Sequence, residues 1–178
     1  MPVLITAVVA VGILCCVDLL LTFGVVRRLR EHTELLAARG GANDIVVGLV
    51  AGQAPAGFSA RTANGEYVSG PAGLRLVAFF SPTCPACPER VPAFTEYLAS
   101  HHISPRDVLA VIEDGASEPP PYLGQLMAVA QVCAGQDSQA VTDAFEVSGY
   151  PAFCLLDAEG ALMASSFDPA VLPVPAGV

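Results

Sequence analysis

The sequence predicts a three-layer α/β domain with a mostly parallel β-sheet and a C-terminal antiparallel hairpin, preceded by one membrane-spanning helix. Short apolar runs alternate with helical stretches from residue 45 onward, which is typical of such a sheet with helices on its faces. The last two strand-like segments are separated only by a short turn at residues 157–160, which predicts the closing hairpin. A near-continuous apolar run at residues 3–26 predicts the spanning helix.

Composition and charge exclude one class of partner. The chain of 178 residues carries a formal net charge of −9 and only eight Lys and Arg residues. Nucleic-acid binding needs clustered basic side chains that neutralise phosphates, so no nucleic-acid partner is predicted. The mean hydropathy of +0.58 is high for a soluble domain, and the N-terminal run accounts for much of the excess.

The apolar run at residues 3–26 is interpreted as an uncleaved transmembrane anchor. At about 1.5 Å per residue its helix reaches ~36 Å, enough to cross a hydrocarbon core of ~30 Å. No basic residue precedes the run and no small-x-small site closes it, so a cleaved signal peptide is not expected. Asp18 is its one ionisable residue. It is either tolerated beside a helix contact or used to contact another membrane protein.

Residues 27–44 are predicted to form a juxtamembrane stalk and linker. The stalk is helical to about Arg39, and the glycine-rich stretch that follows breaks it. Arg27, Arg28 and Arg30 lie directly after the anchor. By the positive-inside rule, these arginines favour a cytoplasmic position for the C-terminal domain.

The domain itself is predicted over residues 45–168. Asn64-Gly65 marks a tight hairpin turn. Residues 75–80 and 108–112 are apolar almost throughout, as expected of strands buried on both faces. Three prolines in residues 169–178 predict a disordered tail. The remaining elements are predicted as helices at about 85–100, 123–128 and 138–146, and strands at 129–133, 152–156 and 161–165.

Cysteine spacing identifies the candidate active site. Cys84 and Cys87 form a C-x-x-C motif between a buried strand and a helix. A structural zinc site needs four ligands at suitable spacing, which the isolated Cys133 and Cys154 do not supply, so no metal is predicted. These two cysteines serve either as small buried hydrophobic residues or as a second bridge. No cofactor is predicted.

The predicted chemistry is thiol–disulfide exchange. At a helix N-terminus, exposed amide groups and the positive end of the helix dipole stabilise a Cys84 thiolate as the nucleophile. Cys87, one turn later, then attacks the mixed disulfide at Cys84 and releases the substrate. Pro85 suits the first turn of this helix, because its missing N–H has no helical partner there.

Two segments resemble the thioredoxin superfamily. Residues 79–92 (FFSPTCPACPERVP) are similar to its strand, C-x-x-C and helix, and Pro92 matches the proline that kinks its active-site helix. Residues 149–153 (GYPAF) resemble its cis-proline loop. The resemblance implies that Pro151 is cis and packs against the cysteine pair. It also implies that the Tyr150 backbone pairs with bound substrate.

The spacing of 64 residues between Cys87 and Pro151 is longer than in thioredoxin itself. It resembles the membrane-anchored, extracytoplasmic TlpA-type reductases and the redoxins, and the anchor and stalk are similar to the redox protein of methylamine dehydrogenase maturation. The resemblance implies a single-pass cell-membrane protein that reduces or isomerises disulfides of a cysteine-containing partner protein. It favours an extracytoplasmic domain, which needs a dedicated electron donor, while the arginines leave the cytoplasmic orientation open.

The sequence departs from the thioredoxin pattern at three places. Ala78 stands where thioredoxin has a buried acid, Thr83 replaces a Trp, and Pro85-Ala86 separates the cysteines. These differences leave the direction of electron flow open.

Three alternatives remain. A peroxiredoxin-like peroxide reductase, with antioxidant activity, has Ser or Thr three residues before its cysteine and Pro four before that; Ser81 fits, but Val77 does not. A copper-delivery module on the same scaffold favours C-x-x-x-C with a distant His, and no His follows His102. A redox-inert scaffold predicts no thiol pair that dithiothreitol can reduce.

Overall fold

A computed structural model describes residues 12, 46–115 and 118–175. The predicted anchor (3–26), apart from Gly12, and the predicted stalk and linker (27–44) lie outside these residues. Within the described part of the chain, no helix has both the length and the apolar character needed to cross a membrane.

Seven strands and three longer helices form the framework of the described domain. Two short strands, β1 (Phe58–Arg61) and β2 (Tyr67–Gly70), pair as an antiparallel hairpin. Five strands form the main sheet: β3 (Leu76–Phe80), β4 (Val108–Ile112), β5 (Gln131–Ala134), β6 (Ala152–Leu156) and β7 (Leu162–Ser166). The helices between them are α1 (Cys87–Ser100), α2 (Leu123–Val129) and α3 (Gln136–Ala144).

The main sheet is mixed, whereas the sequence predicted a mostly parallel one. Its order is β5-β4-β3-β6-β7, with β3, β4 and β5 parallel and with β6 antiparallel to both β3 and β7. Ala152 at the start of β6 pairs with Phe79 near the end of β3. After α3 the chain thus re-enters the sheet at the end where β3 finishes, so β6 runs antiparallel to β3. This reversal brings the Tyr150–Pro151 loop beside the turn that follows β3.

Alternate residues of the strands pack into two cores on opposite faces of the sheet, which gives the expected three layers. On one face, β3 contributes Val77 and Phe79, which pack with side chains of α3 and the β1–β2 hairpin. On the other face it contributes Leu76, Ala78 and Phe80, which pack with α1 and α2. All five residues are fully buried, as the apolar run predicted.

The segment after residue 168 packs against α1, in contrast to the disorder predicted for residues 169–178. Pro169–Val171 form a 3₁₀ turn, and Leu172 is only 7% exposed. The Tyr97 hydroxyl donates a hydrogen bond to the Pro173 carbonyl at 2.7 Å. The prolines disfavour a longer helix or strand here. They do not prevent packing, and Leu172 lies in the core on the α1 face. The described domain therefore extends to residue 175.

Candidate active site

The first cysteine lies in a turn between β3 and α1. The Cys84 N–H donates to the Ser81 carbonyl at 3.1 Å, and the Cys87 N–H donates to the Cys84 carbonyl at 3.3 Å. These bonds close the turn before the helix begins. Helix α1 therefore starts at Cys87, three residues after Cys84, with Ala86 as its N-cap.

The position of α1 corrects one expectation about its first turn. The sequence placed Pro85 in that turn, whereas Pro85 lies in the preceding turn and Pro88 occupies the start of the helix. Both prolines suit positions where an N–H would have no helical partner, so the pattern alone does not choose between them.

Cys84 is the accessible thiol of the pair. Among the four cysteines that the structure describes, Cys84 is partly exposed and the other three are buried. Its Sγ donates a hydrogen bond to the Tyr150 carbonyl at 3.4 Å. The Cys84 thiol thus lies between solvent and the loop that carries Pro151, where an incoming disulfide can reach it.

Cys87 is fully buried, and its sulfur accepts a hydrogen bond from the Ser81 N–H at 3.5 Å. Burial is the largest cause that raises the pKa of the Cys87 thiol to about 12. The hydrogen bond with Cys84 and the negative charges of Cys84 and Glu113 raise it further, and only the Ser81 amide opposes them. Cys87 is therefore held as a protonated thiol beside a more accessible one.

The predicted cis-proline loop is present. The Tyr150–Pro151 peptide bond is cis, and Pro151 is buried. The structure brings the Tyr150 backbone to Cys84, which is the neighbourhood that the resemblance implied. Pairing of that backbone with a substrate stays a prediction.

Pro92 lies inside α1, as the resemblance implied. Its missing N–H leaves the carbonyl one turn earlier without its usual helical donor. The Thr95 hydroxyl donates to the Pro92 carbonyl at 2.8 Å. The part that Pro92 takes in supporting the site stays a prediction.

Sequence reasoning missed Tyr122, whose side chain contacts the active-site turn. Its side chain is 4% exposed, and its hydroxyl donates to the Ser81 carbonyl at 3.2 Å. Both backbone polar groups of Ser81 are thus hydrogen-bonded, because its N–H donates to Cys87 Sγ. Tyr122 follows three consecutive prolines in a segment interpreted as a loop, and nothing local marks it as a neighbour of the motif.

Glu113 was also missed. It directly follows β4, and its N–H donates to the carbonyl of Phe80 at the end of β3 at 2.9 Å. Burial, followed by the charge of Glu113, raises the pKa of the Tyr150 phenol to about 12. A signal did exist, because an acid at the carboxyl end of a parallel strand meets residues that follow its neighbour.

The other two described cysteines do not pair. Cys133 in β5 and Cys154 in β6 are both free and fully buried. Two strands lie between β5 and β6, so at ~4.8 Å per strand they are roughly 14 Å apart, too far for a disulfide. The alternative of a Cys133–Cys154 disulfide is therefore wrong, and both residues act as small buried hydrophobic groups. Over residues 46–115 and 118–175, no three His, Cys, Asp or Glu side chains cluster to hold a metal ion.

The fold is similar to that of several solved redox proteins. The thioredoxin domain of a thiol-disulfide oxidoreductase from Bacteroides vulgatus matches with a TM-score of 0.57 and 20% identity, over 70% of this chain and 93% of that one. A thiol:disulfide interchange protein from Bacteroides sp. matches with a TM-score of 0.53 and 19% identity, over 69% and 86%. For the thiol:disulfide interchange protein DsbE from Chlorobium tepidum the TM-score is 0.51 and the identity 20%, over 68% and 89%.

These likenesses show that residues 46–175 adopt a thioredoxin-like fold. No protein-family model and no curated protein matches the sequence.

Proposed function

We propose that this protein is a membrane-tethered thiol–disulfide oxidoreductase, acting as a reductase or isomerase on cysteines of a partner protein. The observation that carries the proposal is the pairing of a partly exposed Cys84 with a buried, hydrogen-bonded Cys87 at the end of β3. The thioredoxin-like fold supports it, since the similar structures include a thiol-disulfide oxidoreductase and thiol:disulfide interchange proteins.

The exposure of the two thiols assigns their roles. The Cys84 sulfur attacks a substrate disulfide, forms a mixed disulfide and releases the first substrate thiolate. Cys87 then attacks Cys84 Sγ, which breaks the mixed disulfide, releases the second substrate thiolate and leaves a Cys84–Cys87 disulfide. The substrate gains two electrons and the cysteine pair loses two. Burial keeps Cys87 away from the first attack, because its sulfur is inaccessible to a protein substrate.

The Tyr150 carbonyl supplies a contact for the substrate backbone. In the free protein this carbonyl accepts a hydrogen bond from the Cys84 thiol. Once Cys84 is part of a mixed disulfide it has no proton to donate, so the carbonyl becomes available to an N–H of the bound peptide. An extended segment of the partner protein fits this arrangement, with its cysteine at Cys84.

The peroxide-reducing alternative has less support. Its candidate residue is Ser81, whose hydroxyl bonds to the Thr83 hydroxyl at 3.0 Å and accepts from the Thr83 N–H at 3.3 Å. Ser81 instead contacts the cysteine pair through its backbone N–H, which is directed at Cys87.

Substitution of the cysteines in the purified full-length protein tests the proposal. Cys84→Ser should reduce insulin-disulfide reduction to the uncatalysed background, because the attacking sulfur is gone. Cys87→Ser should accumulate a mixed disulfide with the substrate. Cys154→Ala, which removes a buried thiol elsewhere in the sheet, serves as the matched control and should keep its activity. Wild-type activity in Cys84→Ser would refute the assignment.

The membrane location forms part of the proposal, with the domain outside the cytoplasm and a membrane protein as electron donor. The apolar run at residues 3–26 and the resemblance to anchored reductases support it. A C-terminal reporter that is active only outside the cytoplasm should give signal. Signal from a reporter that works only in the cytoplasm would overturn this orientation and support the one that Arg27, Arg28 and Arg30 favour.

A further inference from the structure

Ser81 is the residue at which the polar contacts of the active-site turn meet. It is only 2% exposed. Its carbonyl accepts hydrogen bonds from the Cys84 N–H at 3.1 Å and from the Tyr122 hydroxyl at 3.2 Å, and its N–H donates to Cys87 Sγ at 3.5 Å. One buried residue is therefore bonded to both cysteines and to a side chain that lies 41 positions away along the chain.

The Ser81 N–H contacts the sulfur that carries charge in the resolving step. Cys87 attacks as a thiolate, and its side chain is fully buried, so water does not solvate the charge that develops on its sulfur. A hydrogen bond to an anion is shorter and stronger than one to a neutral group. The bond from the Ser81 N–H therefore stabilises the attacking sulfur more than it stabilises the resting thiol.

Tyr122 is fixed in place by both its backbone and its ring. Its carbonyl accepts from the N–H groups of Gln125 and Leu126, both at 3.1 Å, at the start of α2. Its ring packs against Phe80, with the ring centroids 5.8 Å apart, and the side chain is 4% exposed. Because Phe80 directly precedes Ser81, the ring and the hydroxyl of Tyr122 both contact the end of β3.

We propose that Tyr122 is a positioning residue for the resolving step, and that its hydroxyl holds the Ser81 backbone so that the Ser81 N–H stays on Cys87 Sγ. This inference rests on the proposed function. In that step the Cys84–Cys87 bond forms and the bond between Cys84 and the substrate sulfur breaks. The Cys87 proton passes to solvent, and the released substrate thiolate takes a proton from solvent.

The Tyr122 bond is needed because the other donor to the Ser81 carbonyl belongs to a reacting residue. That donor is the Cys84 N–H, and the bonds of Cys84 change in each step of the exchange. Tyr122 lies outside the motif and makes no bond that the reaction alters. A donor that is fixed before the reaction costs no reorganisation when charge develops on the sulfur.

Nuclear magnetic resonance of the reduced full-length protein in detergent tests the geometry without any reaction. The dipeptide Phe-Ser occurs twice in the sequence, at residues 58–59 and 80–81. Phenylalanine labelled with ¹³C at its carbonyl, combined with ¹⁵N-serine, therefore selects the amides of Ser59 and Ser81 alone. Ser59 is an exposed residue of β1 and serves as the internal reference.

Tyr122→Phe keeps the ring and removes only the hydroxyl. The Ser81 amide proton should move upfield, because its hydrogen bond to sulfur lengthens, and the Ser59 signal should stay in place. Cys87→Ala should move the Ser81 signal in the same direction, since it removes the acceptor. A Ser81 signal that stays in place in Tyr122→Phe would overturn the inference.

Rapid-mixing kinetics with a dye-labelled disulfide peptide measure the consequence for the reaction. The first phase reports attack by Cys84, and the second reports resolution by Cys87. Tyr122→Phe should slow the second phase by about fivefold, the size of effect expected from one hydrogen bond. Tyr97→Phe removes the same group near the other end of α1 and, as the matched control, should leave both phases unchanged. An unchanged second phase in Tyr122→Phe, or an equal loss in both of its phases, would overturn the inference.

The pH profile separates positioning from proton transfer. Burial first, and then the charges of Cys87 and Cys84, raise the pKa of the Tyr122 phenol to about 12, so it stays a neutral donor at neutral and moderately alkaline pH. The other titratable groups that act on Cys87 are Cys84 and Glu113, and Tyr122→Phe changes neither. The second phase should therefore rise with pH by the same factor in both proteins. A deficit that varies with pH would overturn the positioning role.

Failure of this inference is distinguishable from failure of the proposed function. If Cys87→Ser accumulates a mixed disulfide while Tyr122→Phe resolves it at the wild-type rate, disulfide exchange stands and the positioning role is wrong. If Cys87→Ser forms no mixed disulfide, the proposed function fails. The positioning role then fails with it, because no resolving step exists for Tyr122 to serve.

Discussion

Two regions of the molecule bury cysteine thiols, and only one of them is organised for chemistry. Cys87 lies on the α1 face of the sheet, and Cys133 and Cys154 lie on the opposite face. All three side chains are fully buried, and burial is the largest cause that raises each thiol pKa above its ordinary value. Burial therefore does not distinguish the active thiol from the structural ones.

The surroundings of each thiol make the difference. Cys87 follows a more exposed cysteine by three residues, and the Ser81 N–H donates to the Cys87 sulfur at 3.5 Å. Cys84 and the charge of Glu113 add to burial in raising its pKa. Cys154 has burial as the sole cause of its raised pKa, and Cys133 adds only the charge of Asp137. A buried thiol becomes useful where a more exposed partner and a route for its proton are close by. Elsewhere it is an inert part of the core.

The largest effect on stability is expected from Cys133, which lies on the face of the sheet opposite α1. Burial raises the pKa of Cys133 from 9.0 to about 11, so the folded protein keeps this proton to higher pH than the unfolded chain does. Below pH 9 the contribution of Cys133 is complete. Between pH 9 and 11 it is lost, at about 1.4 kcal/mol per pH unit.

Cys133→Ala sharpens this comparison. At pH 7 it should lower the free energy of unfolding by about 1 kcal/mol, because a small cavity replaces the sulfur. The deficit should shrink above pH 9, vanish at about pH 10 and reverse towards pH 11, since the wild type loses the Cys133 contribution there and the variant has no thiol to titrate at this position. Urea unfolding under reducing conditions, repeated at several pH values, measures both quantities. Parallel pH profiles for the two proteins would mean that Cys133 titrates alike in the folded and unfolded states.

Local patterns were sufficient to predict the motif and its nearest surroundings. An apolar run followed by C-x-x-C predicts a buried strand and an active-site turn, and the GYPAF segment predicts a second loop by resemblance. Glu113 was overlooked, although its place directly after β4 signalled that it lies near the end of β3. Tyr122 escaped prediction because tertiary packing, rather than sequence spacing, brings it to the active-site turn. The antiparallel direction of β6 escaped for a similar reason, since it depends on the edge of the sheet at which α3 ends.

The helix boundary and the tail show what local patterns leave undecided. Pro85 and Pro88 both suit a helix start, and the hydrogen bonds that close the turn decide between them. The prolines after residue 168 are typical of irregular structure. They do not reveal that Leu172 finds a place in the core on the α1 face.

An intermediate effect is expected from two tyrosines that make the same kind of bond at different ends of α1. Tyr122 donates to the Ser81 carbonyl at 3.2 Å, and Tyr97 donates to the Pro173 carbonyl at 2.7 Å. Each Tyr→Phe substitution should cost about 1 kcal/mol of unfolding free energy, because a backbone carbonyl loses one hydrogen bond. Only Tyr122→Phe should also slow the resolving step. It removes a hydrogen bond to the backbone of Ser81, the residue whose N–H donates to Cys87 Sγ.

Tyr97→Phe is thus the matched control for stability without chemistry. Denaturant unfolding gives the unfolding free energy, and the rate at which the mixed disulfide between Cys84 and the substrate disappears gives the rate of the resolving step. If both variants change the resolving rate equally, the Ser81 peptide has no special role. The difference between the two cysteine environments would then reduce to the second sulfur and Glu113.

The smallest effect is expected at the exposed rim of α1, where Arg90 Nη1 lies 2.7 Å from Asp168 Oδ2. The two side chains are 42% and 31% exposed, so solvent screens the pair, and such bridges contribute about 0–1 kcal/mol. Asp168→Asn keeps the side-chain oxygen that accepts from the Ala170 N–H, and should lower the unfolding free energy by about 0.5 kcal/mol in dilute buffer. The loss should vanish near 1 M salt, where screening acts within ~3 Å. A larger loss that persists in salt would mean that the hydrogen bond from Arg90 to Asp168, rather than screened charge attraction, holds the C-terminal segment on the active-site helix.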